Sequence, residues 1–314
     1  MANAVGALRR PASPPTVTTT GLGWFVRRLR RNPLSLLGAG IILFFVAVAI
    51  FAPVIARPPE NARNPYFIPH EGYSPDPQPP SPGHLFGTTE QQFDIFYGLV
   101  WGTRTAFRVG LTVVASTVLI GIVLGGISGY YGGAVDEALM RVVDIFLAFP
   151  GLVLAVVIVA ILGQGLEKVM IALVLVSWPG YSRLLRGEVL SVRERQFVEA
   201  ARAMGVRDVK IIARHVLPNS IYPVLVVASF DMALVVITAA ALSFLGLGAP
   251  VGYADWGQLI SLSRNWIIGT VGAPFKFWYT IVFPSAAIFL YVLGWNLLGD
   301  AFRDILDPRL RGAV

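Results

Sequence analysis

The residues able to do bond chemistry in this chain are few, and their neighbours disqualify most of them. Gly126-Ile127-Ser128-Gly129 has the Gly-x-Ser-Gly form of an intramembrane serine nucleophile. Such a serine needs a histidine base within hydrogen-bond reach. His70, His84 and His215 all fall outside the long apolar runs, so no Ser–His dyad is available inside a bilayer. A nucleotide-phosphate loop needs Gly-x-x-x-x-Gly-Lys followed by Ser or Thr. Lys168, Lys210 and Lys276 are followed by Val, Ile and Phe instead. Cysteine is absent, which removes thiolate nucleophiles, disulfides and thiolate metal sites. No catalytic residue, cofactor site or metal site is assigned to the chain.

Three other features remain. Asp231 lies within an apolar run, where a charge costs at least about 2.5–3.5 kcal/mol at the bilayer centre. Ser229 and Thr238 are too weakly polar to compensate it, so it must be protonated or face the bundle or a wet pathway. A translocation path and a satisfied packing contact are both open readings. Gly121-x-x-x-Gly125-x-x-x-Gly129 places three glycines on one helix face, a pattern that lets helices approach closely without a hydrophobic driving force. Arg141 and Asp144 stand at i and i+3, the spacing of a surface ion pair worth a few tenths of a kcal/mol.

The elements that must position these residues are membrane helices. Hydrophobic residues make up 55% of the chain and charged ones only 14%, with a mean hydropathy of +0.67. Soluble domains carry roughly 25% charged residues. A bilayer core needs roughly 20 apolar residues per helix. Six stretches qualify: 34–56, 107–129, 142–162, 169–179 with its flanks, 222–248 and 280–298. The expected fold class is thus all-α integral membrane with about six transmembrane helices, and Pro179, Pro223 and Pro284 fall at or near span ends. The net charge of +7 comes mostly from arginines that flank apolar runs. That placement suits lipid head groups and excludes a nucleic-acid face. Of the 25 basic residues, 18 fall on the side shared by both termini, which predicts cytoplasmic termini in the plasma membrane. Arg27-Arg28-Leu29-Arg30-Arg31, just before the first run, is the strongest local signal. That run is longer than a cleaved signal peptide's apolar region and more spans follow it, so it reads as a retained anchor.

Between the spans, residues 1–33 form an aperiodic cytoplasmic tail, and 57–104 a Pro-rich extracytoplasmic loop with an interfacial segment over 86–101. Residues 105–310 hold the remaining spans. Within them, 180–219 forms the largest cytoplasmic segment. Leu184, Leu185, Val189, Val192, Phe197, Val198, Ala201 and Met204 recur there at helical spacing. Gly205 interrupts this pattern, and a second amphipathic piece runs on to Pro218. Such a protrusion either docks into a groove on another protein or lies on the inner membrane surface.

Glu199-Ala200-Ala201-Arg202-Ala203-Met204-Gly205, then His215-Val216-Leu217-Pro218-Asn219, resembles the EAA motif of bacterial ABC-importer permease subunits. That motif reads E-A-A, three residues, G, nine residues, then I-x-L-P, and here His215 replaces the Ile. Tyr130-Tyr131-Gly132-Gly133, Ala148-Phe149-Pro150-Gly151, Ser177-Trp178-Pro179-Gly180-Tyr181, Leu242-Ser243-Phe244-Leu245-Gly246-Leu247-Gly248 and Asn296-Leu297-Leu298-Gly299-Asp300, with Asp307-Pro308-Arg309, are similar to the C-type permease of dipeptide and oligopeptide importers. The resemblance is close over 105–310.

It implies the ABC importer (type I) permease fold, a second B-type permease, two ATPase subunits that hold ATP and Mg, and an extracytoplasmic substrate-binding protein. It implies that the helix around Glu199 seats in an ATPase cleft, with Glu199 offering a carboxylate and Ala200 and Ala201 allowing close approach. Gly205 would turn the chain, His215 and Leu217 would complete the motif, and Pro218 would aim the chain into the fifth span. The glycine stripe would pack helices, with the partner permease as one candidate neighbour. Two departures stand out: Ala239 occupies a position where Glu is common, and Gln92-Phe93 replace a common Gly-Arg. A stand-alone secondary transporter or channel, with Asp231 at its centre, is the rival reading.

Overall fold

The computed structural model describes residues 32–70, 72–74, 76–269 and 273–306. The 1–31 tail with its arginine cluster, and the Asp307-Pro308-Arg309 block, lie outside the described residues. Five helices are long and apolar enough to cross a bilayer, and one bent pair brings the spans to as many as six. Among the described residues there is no β-strand, only isolated bridges.

Helix α1, Pro33–Ile55, starts where the Asn32 side chain accepts from the Leu34 N–H at 3.0 Å, with Pro33 at the first helical position. Helix α2, Ile95–Tyr131, is capped by Asp94 and has 37 residues. At 1.5 Å per residue it is about 55 Å long, well beyond the membrane core. Its first two turns absorb much of the segment expected to lie along the interface. Ile95, Tyr97, Val100 and Trp101 are buried instead. Arg104 hides this extension from a hydropathy reading, because it ends the apolar run just ahead of the span read as 107–129. The Arg104 Nε donates to the Ala49 carbonyl at 2.5 Å and Arg108 pairs with Glu167, so both find partners inside the chain.

The expected third span is two helices, α3 (Gly133–Leu147) and α4 (Gly151–Leu162), bent by 87°. Pro150 lies at the break; it lacks a backbone donor and disfavours helical geometry at Phe149. Helix α5, Leu166–Arg193, runs 28 residues straight through Pro179. Residues 180–193, expected within the protrusion, are therefore the end of a long helix. The stripe of Leu185, Val189 and Val192 read from the sequence is buried and continues from Tyr181 in the span, while the intervening charges hid that continuity. The chain then breaks at Glu194–Arg195, ahead of the glycine interruption read from the sequence. Next come α6 (Gln196–Ala203), α7 (Asp208–Ile211), a π-helical turn (Ile212–Val216) and α8 (Leu217–Ser220). Helices α9 (Tyr222–Phe244), α10 (Trp256–Ser263) and α11 (Tyr279–Leu306) complete the bundle.

The contact of α2 with α5 is the most extensive among the described helices, and the glycine stripe lets it close to backbone distance. A Cβ on Gly121 would lie 2.4 Å from Tyr181 Cβ, and one on Gly125 2.4 Å from the Ser182 carbonyl oxygen. One on Gly129 would lie 2.8 Å from Val189 Cβ. The stripe thus packs within this chain. The i, i+3 pair read from the sequence is replaced by two others: Arg141 lies 3.6 Å from Glu137, one helical turn away, while Asp144 accepts from Arg183 of α5. The neighbouring helix supplies a guanidinium that the single-helix reading could not include.

At the opposite end of α2, residues 57–94 and the loops around α10 interlock. The Ile68 N–H donates to Gly252 O at 2.8 Å, the Ala254 N–H to Tyr66 O at 2.7 Å, and the Trp266 indole to Glu90 at 2.7 Å. Gln92 stands here with φ +61°, a conformation that favours glycine, and its amide nitrogen donates to Asp76 O at 3.2 Å. Phe93 packs on His70 with ring centroids 5.1 Å apart. Both residues are buried, so the Gln92-Phe93 departure alters packing inside this layer.

Candidate coupling site and intramembrane carboxylate

The protrusion α6–α8 is held from one side. Val198 and Ala201 of α6, Ile211 of α7 and Val216 of the π-helical turn join Leu185, Val189 and Val192 of α5 in one apolar cluster. Helical periodicity then turns Glu199 and Ala200 outward, where both are exposed. Ala201, at 3% exposure, faces its own chain, so its small size serves internal packing while Ala200 leaves room on the open face. Met204 is 75% exposed and Val209 74%, which extends the open face with apolar area. Gly205 turns the chain at φ +77°, with nothing within 4 Å of a Cβ placed there. The constraint on Gly205 is therefore conformational rather than steric.

Of the remaining motif residues, His215 is half-buried in the π-helical turn, and its carbonyl accepts from the Asn219 side chain at 2.6 Å. Leu217 is half-buried against the same apolar cluster, and Pro218 is exposed at the start of α8. The structure thus brings Glu199, Ala200, Ala201 and Gly205 together in one protrusion, with His215, Leu217 and Pro218 in the return to α9.

Reasoning from the motif missed the residues that fasten this protrusion. The Tyr130 hydroxyl, at the end of α2, donates to Asp208 Oδ1 at 2.7 Å, and Arg202 lies 5.8 Å over the Tyr130 ring. Hydrogen bonding to that phenol raises the Arg202 pKa further above its already high value. Arg193 Nη1 donates to the Gly129 and Tyr130 carbonyls at 2.8 and 3.2 Å. A cation at a helix C-terminus is favoured there by the helix dipole. Arg186 grips Asp136 with two bonds of 2.5 and 2.6 Å, and the Ser128 hydroxyl donates to the same carboxylate at 2.5 Å. The sequence had marked Ser128, Gly129, Tyr130 and Arg202 within other motifs, but not their connection through Asp136, Asp208, Arg186 and Arg193.

Asp231, on α9, is half-buried and has a partner that the sequence did not reveal. The Tyr181 hydroxyl of α5 donates to its Oδ2 at 2.6 Å. Tyr181 is fixed by its contact with Gly121, so the α2 glycine stripe indirectly sets the donor's position. Asp231 does not meet the glycine stripe or the protrusion directly.

Residues 121–312 match the family model described as binding-protein-dependent transport system inner membrane component, and residues 23–80 the one described as the N-terminal TM domain of oligopeptide transport permease C. The chain belongs to this family: it is a C-type permease subunit of the ABC importers. It is 41% identical to the dipeptide transport system permease protein DppC of Alkalihalophilus pseudofirmus, over 91% of this chain and 89% of that one. It is 38% identical to the glutathione transport system permease protein GsiD of Pectobacterium atrosepticum, over 91% of each chain. The probable D,D-dipeptide transport system permease protein DdpC of Escherichia coli is 37% identical over 96% of each. Among solved structures, an inward-facing MetNI methionine ABC transporter aligns with TM-score 0.50 and 20% identity, covering 68% of this chain and 98% of that one. That match supports the fold.

Proposed function

We propose that this permease carries dipeptides or a similar small peptide-like solute inward, as half of a translocation pathway completed by a B-type permease. Two ATPase subunits bind ATP and Mg and perform the hydrolysis, and an extracytoplasmic binding protein delivers the solute. Both termini and the α6–α8 protrusion face the cytoplasm, a reading supported by the bias of arginine and lysine toward that side. The relatives named for dipeptide, glutathione and D,D-dipeptide transport support the substrate class.

One observation carries the coupling role: α6 is anchored on its Val198–Ala201 side and open on its Glu199–Ala200 side. A helix fastened to its own bundle and bare on the other face suits a groove in a partner. Nucleotide-driven closure of the ATPase pair pushes this helix and switches access between the two sides. Asp231, braced by Tyr181, lines the pathway beside the α5–α9 contact; a half-exposed carboxylate in a span avoids lipid and meets water or solute.

The test is gentle purification of the tagged chain from its native membrane, with Glu199→Arg and Gly205→Pro beside wild type. ATPase subunits should accompany wild type and be lost from both variants. Wild type that purifies without an ATPase would overturn the reading and favour the stand-alone transporter.

A further inference from the structure

The fastening of the protrusion to α2 has a mechanical consequence. By sequence, α6–α8 is continuous with α5 and α9, so a push on α6 passes along the chain into those two helices. Its route along the chain to α2, the longest of the described helices, runs back through α5, α4 and α3, and the far end of α2 lies in the interlocked extracytoplasmic layer. We propose that Tyr130 is the positioning residue that makes the protrusion and α2 one body, so that displacement of α6 is delivered to α2. The proposal rests on the coupling role proposed above for α6.

The geometry is specific to this ring. Tyr130 is buried, its hydroxyl is committed to Asp208 at 2.7 Å, and its face is covered by Arg202 of α6 at 5.8 Å. It therefore contacts the protrusion on both sides of the Gly205 turn, from α6 and from α7. The Gly205 N–H to Arg202 O bond at 3.0 Å and the Val206 N–H to Ala201 O bond at 3.2 Å close that turn, and the ring braces it from the α2 side. Its own backbone is held in turn, because Arg193 donates to the Gly129 and Tyr130 carbonyls. Just below, Gly121, Gly125 and Gly129 seat α2 against α5 at backbone distance. A hinge at Gly205 that is bridged by a buried, hydrogen-bonded ring transmits displacement instead of absorbing it.

The absence of cysteine makes a direct test practical. Two exposed positions, Ala213 of the π-helical turn and Leu119 of α2, take spin labels after Ala213→Cys and Leu119→Cys. The labelled chain is assembled into the complete transporter, and the distance between labels is measured without nucleotide and after trapping with ATP and vanadate. One unchanged distance is expected with Tyr130 intact. With Tyr130→Phe or Asp208→Asn, trapping should shift or split the distribution by about 5 Å, the scale of a one-turn slip. ATPase subunits should remain bound in both variants. The double variant should behave like either single one, because the two remove the same bond.

A distance that shifts in the intact protein, or variants indistinguishable from it, would overturn the proposal. Loss of ATPase binding in Tyr130→Phe would also overturn it, by making Tyr130 part of docking. Should Glu199→Arg leave ATPase binding intact in the same preparation, the reading of α6 would fall and this proposal with it.

Discussion

A single methyl group added at Gly125 should loosen the α2–α5 contact measurably. Its carbon would lie 2.4 Å from the Ser182 carbonyl oxygen and 3.1 Å from Ser182 Cα, both backbone atoms that no rotamer change can move. Ordinary contact begins near 3.4 Å, so the helices must part by about 1 Å. Overpacking of this kind costs roughly 1–3 kcal/mol, and replacing a mid-helix glycine by alanine returns roughly 0.5–1 kcal/mol. The expected net loss is about 1–2 kcal/mol. Gly40 provides the control, since it is also helical and has nothing within 4 Å of its Cβ position. Gly40→Ala should be neutral or slightly stabilising. Thermal unfolding in one detergent, with wild type and both variants side by side, reads the difference. A Gly125→Ala protein as stable as Gly40→Ala would refute the argument that the stripe exists for close approach.

Four further outcomes follow from the same geometry. Gly205→Ala should destabilise the protrusion by about 1 kcal/mol through its φ of +77° alone, and Gly205→Asn by less, as read by protease sensitivity of residues 196–220. Tyr181→Phe leaves Asp231 without its recorded donor and should cost about 1–3 kcal/mol in thermal stability. Asp231→Asn keeps an acceptor for Tyr181, so its stability should stay near wild type while uptake falls; unchanged uptake would remove Asp231 from the pathway. Burial raises the pKa of Asp255, the cap of α10, above 3.8. The folded state then holds that proton more tightly than the unfolded one, so this group's stabilisation is full below pH 3.8 and lost as pH climbs through the raised value. Asp255→Asn can still cap and should flatten that slope in a pH series of melting temperatures.

How much was legible in the sequence depended on whether a helix announced itself by hydropathy alone. Helices α1 and α9 did, because they carry one carboxylate between them and no cation. By contrast, α2 and α5 extend well past their apolar stretches. The signal was lost at Arg104, Arg183 and Arg186, each of which binds a carboxylate or carbonyl on a neighbouring helix. A charge satisfied by a tertiary partner looks, in one dimension, like the end of a span. The bend at Pro150 was missed for the converse reason: the apolar run continues smoothly across a backbone break that only the proline marks.

The site divides along the same line. Glu199, Ala200 and Gly205 were legible because the motif fixes their spacing, and spacing survives in sequence. Tyr130 and Asp208 are 78 positions apart, and nothing local to either one announces the other. Yet on the proposal above these unsignalled contacts decide whether the legible motif can transmit force. Without the Tyr130 bridge, α6 and α7 would keep their apolar contacts with α5 but lose the polar tie to α2. With Tyr130 bridging α6 and α7, and Arg193 gripping the end of α2, the turn at Gly205 is shunted by a rigid contact. Displacement then reaches a helix long enough to connect both faces of the membrane. On the reading proposed above, the motif sets where an ATPase pushes, and the buried tyrosine sets what moves with it.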